Sequence, residues 1–219
     1  MKKLFKAIRE NNCELVIQLI NTNPDLVNCT AKQPPKKDDG QSPLQVALKT
    51  GAFDIADYLI DNGADLNFME DESCCNTWRA PVIHDAINAA VMCSRWNTNN
   101  PYVGFEVFST EEKAIRSRNI LEKMLQSGAD VNKLDSLGNS GILRFCLQAN
   151  QILPRFDFAA NCECDDRIFT DELETDLLNT LKLLCRYRAY LNNTSPNMNL
   201  TVKEFYTKGA MAKLLNQIE

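Results

Sequence analysis

The residue best suited to proton chemistry at neutral pH occurs once, because His84 is the single imidazole in 219 residues. With Asp85 beside it and Cys93 further along, it offers the parts of a thiol nucleophile and its base. A lone histidine excludes every acid-base or metal scheme that needs two. Cys74, Cys75, Cys162 and Cys164 could present four thiolates to zinc, but their adjacent and one-gap spacings differ from the two-residue gaps of zinc knuckles. No Walker loop, dinucleotide fingerprint, HExxH or GxSxG motif occurs. A thiol or zinc-dependent enzyme is therefore one reading, and a binding protein without catalytic residues, metal or cofactor is the other.

Composition bears on where such chemistry would sit. The chain is 44% hydrophobic and 24% charged, which suits one soluble domain or two small ones. No run of about 18 apolar residues occurs, and Lys6 and Arg9 interrupt the first apolar stretch too early for an export signal. The expected location is the cytoplasm, with a signal-less secretion route still compatible. Nine cysteines, an odd number, then read as reduced thiols. A net charge of −5 gives no footprint for a phosphate backbone, so neither nucleic acid nor membrane is an expected partner.

The elements that must position these residues repeat. Gly40 to Asn67 sets a turn, an apolar helical face, Gly51, a second apolar face, and then Gly63, Ala64, Asp65, Leu66 and Asn67. That ending returns as GADVN at Gly128 to Asn132 and, degraded, as RAYLN at Arg188 to Asn192. PVIHDA at Pro81 to Ala86 repeats the opening of the first helix. Asn132 to Ser140 and Asn192 to Leu200 both span 8 residues, while Asn28 to Ser42 and Asn67 to Pro81 both span 14. Five of the eight glycines (Gly40, Gly51, Gly63, Gly128 and Gly138) fall at turn or helix-end positions of this pattern.

These residues resemble the ankyrin repeat, with its TPLHxA helix opening, a glycine between two short antiparallel helices, and GADVN before a hairpin-like loop. The resemblance implies an all-α solenoid of five helix-turn-helix units in a single domain. The units fall near 1–28, 36–67, 76–132, 135–192 and 197–219. It also implies that His84 bonds the backbone of an adjoining loop. The match is divergent toward both ends: SGILRF replaces the opening motif in the fourth unit, and Phe145 and Phe205 stand where Ala47 and Ala86 let helices approach. Wider or rearranged packing is expected there.

Two insertions, near 93–110 and 148–170, lengthen the third and fourth units by 26 and 27 residues. A capping box from Ser109 to Glu112 predicts an early, long second helix in the third unit, and Thr170 predicts the same in the fourth. Residues 110–126 and 171–187 should then lie side by side. The segment 95–108 holds Trp96, Tyr102, Phe105 and Phe108, which reads as a folded lid or a recognition patch. Residues 157–176 carry Asp157, Glu163, Asp165, Asp166, Asp171, Glu172, Glu174 and Asp176 against Arg167 alone, a net −7 that leaves the remainder at +2.

Repeat proteins bind through hairpin tips and the open face of the first helices. Mapped from the pattern, those positions are Asp38, Asp39, Gln41, Val46 and Lys49; then Thr77, Trp78, Asp85 and Asn88; then Ser136, Leu137, Asn139 and Arg144. Trp96, Tyr102 and Phe105 extend the candidate surface, and Asp165, Asp166, Asp171 and Glu172 give it an acidic flank. The expected function is a monomeric protein-binding module that modulates or inhibits its partner, the sharpest version being an acidic inhibitor covering a basic surface. Bacterial ankyrin proteins of similar size include toxin-neutralising immunity proteins and secreted effectors, and the resemblance allows either.

Overall fold

The structure is a computed structural model that describes residues 1–194 and 199–218. The fifth unit's expected start at 197 lies outside the described residues, as does residue 219. Helices come in pairs: α1 (Lys2–Arg9) with α2 (Cys13–Thr22), α3 (Pro43–Thr50) with α4 (Phe53–Asp61), and α5 (Val82–Met92) with α6 (Glu111–Gln126). They continue as α7 (Gly141–Ala149) with α8 (Asp171–Arg186), and α9 (Val202–Phe205) followed by α10 (Gly209–Leu215). The first helices pack in a row, α1 on α3, α3 on α5, α5 on α7 and α7 on α9. A second row runs α2, α4, α6, α8 and α10. One contiguous core lies between the rows, centred on Leu44, Ile55, Leu59, Ile83, Ile87, Leu121 and Ile142.

Helices α2, α3, α6, α7, α8 and α9 start where a side chain accepts from an open N–H group. Ser42 caps α3 in a reciprocal box with Gln45, and Pro43 occupies the first turn, where no N–H is needed. Gly51 then ends α3 at φ 72°, and Gly63 and Gly128 take the same left-handed conformation after α4 and α6. Arg188 stands at the equivalent position after α8 with φ 64°. A side chain is tolerated there because a Cβ at Gly63 or Gly128 would meet nothing within 4 Å, so only the backbone angle is strained. Gly141 is different. A Cβ there would lie 2.4 Å from the Val131 carbonyl oxygen, so close backbone approach explains why glycine opens α7.

The mostly helical fold fits the all-α expectation, with two short antiparallel hairpins added, β1 (Asn97–Asn100) with β2 (Gly104–Val107), and β3 (Phe156–Asp157) with β4 (Cys162–Glu163), one in each expected insertion. Two finer expectations are corrected. First, Thr110 rather than Ser109 caps α6, accepting from the Lys113 N–H, while the Ser109 hydroxyl donates to the Cys93 carbonyl at 2.6 Å. Finally, Thr201, not Leu200, takes the place of Ser42, since Thr201 and Glu204 form a capping box. That one-residue shift leaves Phe205 47% exposed and puts half-buried Tyr206 level with Ala47. Phe145 does fill the close-approach position and is fully buried, and α7 meets α8 more sparsely than α5 meets α6. α6 and α8 are each 16 residues long against 9 for α4, and they touch each other.

Candidate protein-binding surface

His84 lies in the first turn of α5 with no exposed surface, and its Nε2 is 3.0 Å from the Lys133 carbonyl oxygen. A carbonyl can only accept, so Nε2 carries the proton and donates. Burial pushes the imidazole down to about 4, with the Arg144 charge acting in the same direction. The ring is therefore a neutral strut between α5 and the loop that leads to α7. Cys93 closes α5 at the other end of the helix, its thiol raised by burial.

Asp85, the next residue, is enclosed as well. Gln45 Nε2 donates to Asp85 at 3.0 Å, to Glu70 at 3.2 Å and to the Ala80 carbonyl at 3.1 Å, tying α3 and α5 to the loop between them. Burial raises the Asp85 carboxyl to about 6, and Lys49 at 3.6 Å opposes that shift only in part.

The same enclosure removes several mapped positions from direct reach of a partner. Asp38 is 6% exposed and pairs with Arg9, Gln41 donates to Glu70, and Asn139 donates to Asp135. Val46 is core. Asp39 is half-buried and accepts from the N–H groups of Gln33 and Cys75. These side chains shape the tips, whereas sequence spacing had them facing outward. Spacing locates a residue on a loop and says little about which way a short polar side chain turns.

Trp78 and Leu137 form the outward feature, braced by the mostly buried Arg144. Trp78 Nε1 donates to Asp135 at 2.9 Å, and the Arg144 guanidinium lies 4.6 Å from the centre of the indole ring. Arg79 and Ser136 exchange hydrogen bonds, Arg79 N–H to Ser136 Oγ and Ser136 N–H to the Arg79 carbonyl, both 3.0 Å, which joins two successive tips. Burial alone would raise the Asp135 carboxyl, but donors from Trp78, Asn139 and Leu137 hold it below the usual range. Leu137 is 54% exposed, and Thr77 is exposed next to Trp78. Along the inner row, Lys49, Asn88 and Arg144 bring one partly buried polar side chain each from α3, α5 and α7.

The aromatic segment is part strut and part projection. Trp96 stacks on Phe108 with ring centres 4.4 Å apart, and Asn97 is buried, its amide bonded both ways to the backbone of Ile168 at 2.8 Å. Asn99 N–H and Nδ2 bond the carbonyls of Asp166 and Asp165. The two insertions therefore hold each other. Tyr102 projects at 96% exposed and Phe105 at 49%.

The acidic segment is partly neutralised by cations inside and outside it. Arg95 grips Asp176 with two guanidinium bonds of 2.8 and 2.9 Å, Arg155 and Arg167 share Asp166, and Lys213 reaches Glu163. Asp165, Asp171 and Glu172 remain exposed. The cysteines are distributed rather than clustered. Cys75 lies against Asp39 and Lys36, whereas Cys162 sits in β4, which packs on α10. Among the described residues, no group of three or more His, Cys, Asp or Glu side chains is arranged to hold a metal. Likewise, no helix among them is long and apolar enough to cross a membrane.

Paired helices in two rows, joined tip to tip, define a helical repeat protein. An ankyrin-repeat family model matches residues 4–92 as three copies, which covers α1 to α5. Over residues 4–92 the chain is therefore matched to ankyrin repeats, which are in general protein-protein interaction modules.

Proposed function

We propose that the whole chain is one ankyrin-repeat solenoid of five units, bounded as the sequence pattern suggests and with insertions near 93–110 and 148–170. In this reading it works as a cytoplasmic monomer that binds a partner protein and modulates or inhibits it, with neither catalysis nor cofactor. Helix pairing beyond residue 92 supports the five units, because α7 with α8 continues the two rows set by α1 to α6.

The observation that carries the binding reading is the preorganised tip. Trp78 is fixed by Asp135 and Arg144 yet keeps part of its ring open beside exposed Leu137, so little side-chain entropy would be lost on docking. Asp165, Asp171 and Glu172 supply attraction for a basic partner surface. His84 has a structural use that accounts for its burial, which favours binding over the thiol enzyme reading. Affinity capture with the intact chain, followed by Trp78→Ala in the recovered pair, tests the proposal. A stoichiometric partner weakened about tenfold or more by Trp78→Ala supports it. Stoichiometric zinc in the purified protein, or a partner indifferent to Trp78, would count against it.

A further inference from the structure

The hairpin of β1 and β2 has one guarded edge and one open edge. The pairing register places Asn97 opposite Val107, Thr98 opposite Glu106 and Asn99 opposite Phe105, and the Phe108 N–H donates to the Trp96 carbonyl at 2.9 Å. In an antiparallel ladder, bonded and non-bonded pairs alternate, so Thr98 and Glu106 bond inward while the backbones of Asn97, Asn99, Phe105 and Val107 point outward. On the β1 side that outward edge is used: the Asn99 N–H donates to the Asp166 carbonyl at 2.8 Å. On the β2 side the outward N–H and C=O groups of Phe105 and Val107 have no partner among the described residues.

An open edge invites another strand, and proteins commonly guard theirs with lysine, proline or a bulge. All four residues of β2 are exposed, and none is a lysine or a proline. The strand instead alternates apolar Phe105 and Val107 with Glu106. Glu111 and Glu112 follow within a few residues at the start of α6. Asp165 lies beside Asn99 on the β1 edge, and Glu172 opens α8, where its charge adds to that of Glu111 at Arg95.

We infer that the free edge of β2 is a strand-addition site for an extended segment of a partner protein, one that alternates apolar residues with lysine or arginine. The unpaired backbone groups call for another backbone, the apolar pair for alternate apolar side chains, and Glu106 in its acidic surroundings for a cation opposite it. A second copy of this chain fits less well, because two-fold pairing about Glu106 sets Glu106 against Glu106, a repulsive cross-strand pair. The inference rests on the protein-binding reading above and assigns it a second contact, remote in sequence from Trp78.

The test uses the full chain and a capped seven-residue peptide of alternating valine and lysine. Controls are its valine-glutamate counterpart and a lysine peptide N-methylated along one backbone edge. Titration calorimetry and amide hydrogen exchange should show saturable binding of the lysine peptide, about tenfold or greater protection of the Phe105 and Val107 amides, and about tenfold weaker binding of both controls. Val107→Pro removes one outward N–H without touching the inner ladder and should weaken the lysine peptide by a similar factor. Glu106→Lys should reverse the preference between lysine and glutamate peptides.

Binding that survives methylation and Val107→Pro, or the absence of protection at Phe105 and Val107, would overturn the inference. Concentration-dependent dimers abolished by Val107→Pro would overturn it in favour of self-pairing. The two readings also fail separately. A natural partner that needs Trp78 but ignores Val107→Pro removes only the strand site, whereas peptide binding at β2 without any Trp78-dependent partner removes only the tip.

Discussion

At the residue scale, three asparagines explain why the spacings are so regular. Asn28 donates to the Gly63 carbonyl and accepts from the Asp65 N–H, Asn67 does the same with Gly128 and Asp130, and Asn132 does so with Arg188 and Tyr190. Each asparagine thus fixes the next loop by two bonds, so its position relative to the next helix is constrained. Arg188 pays a conformational penalty in that series, as the one left-handed position of the three without glycine. Arg188→Gly should raise stability by roughly 0.5–1 kcal/mol. A chemical denaturation midpoint that falls would show that the arginine side chain contributes more than its backbone costs.

His84 and Asp85 titrate in opposite senses. Between pH 6.5 and 4 the unfolded imidazole binds a proton that the folded one refuses, so acid destabilises through His84. Between about 6 and 3.8 the folded Asp85 holds a proton that the unfolded carboxyl has lost, so acid stabilises through Asp85. The two nearly cancel. Asp85→Asn keeps the shape and leaves His84 unopposed, so stability should fall by about 2–3 kcal/mol more than in the parent as pH drops from 6.5 to 4. Thermal melts across that range check it, and parallel pH profiles for the two proteins would contradict it.

At the element scale, the long helices and the hairpin depend on each other. Lys123 and Arg116 of α6 reach Asp57 of α4 at 2.6 and 3.1 Å. Burial alone would raise the Asp57 carboxyl, and these two cations hold it below its usual range. Asn97 is the critical joint of the insertions, because its amide satisfies both backbone groups of Ile168. Asn97→Ala should cost about 2–3 kcal/mol and loosen 95–108 and 164–168 together. Calorimetry reads the cost, and loss of stability below about 0.5 kcal/mol would mean the two segments are independent.

Much at this scale was legible from periodicity: α3 to α8, the matched lengths of α6 and α8, and the cap at Thr170 follow from apolar spacing and an N-cap residue. The hairpins were not. Asn97 to Asn100 has neither β-branched alternation nor apolar character apart from Thr98, so β1 exists through its bonds to Asp165, Asp166 and Ile168, which lie more than sixty residues away. The proposed site was legible in part. Tryptophan and leucine at tip positions marked Trp78 and Leu137, but the inward turn of Asp38, Gln41, Asp85 and Asn139 depends on tertiary partners such as Arg9, Glu70, Gln45 and Asp135.

At the scale of the whole molecule, the proposed function has charge and shape divide the work of binding. Exposed acids act over a Debye length of about 8 Å before contact, whereas Trp78 acts only after docking. Neutralising Asp165, Asp171 and Glu172 should therefore slow association and flatten its salt dependence. Trp78→Ala should mainly speed dissociation. Stopped-flow kinetics at two ionic strengths separates these effects, and association unchanged by the acidic variant would reduce the cluster to solvated helix starts. Asp166 and Asp176 belong to a different group, since their arginine partners make them supports of the fold.

The central claim is that a partner protein docks on the tips and inner row rather than on the outer helices. Hydrogen exchange of the chain, free and in complex with its captured partner, tests this directly. The account predicts new protection at residues 77–79 and 134–139, with α4 and the outward side of α6 unchanged. Protection confined to α4 and α6, with residues 77–79 and 134–139 exchanging as in the free protein, would contradict it.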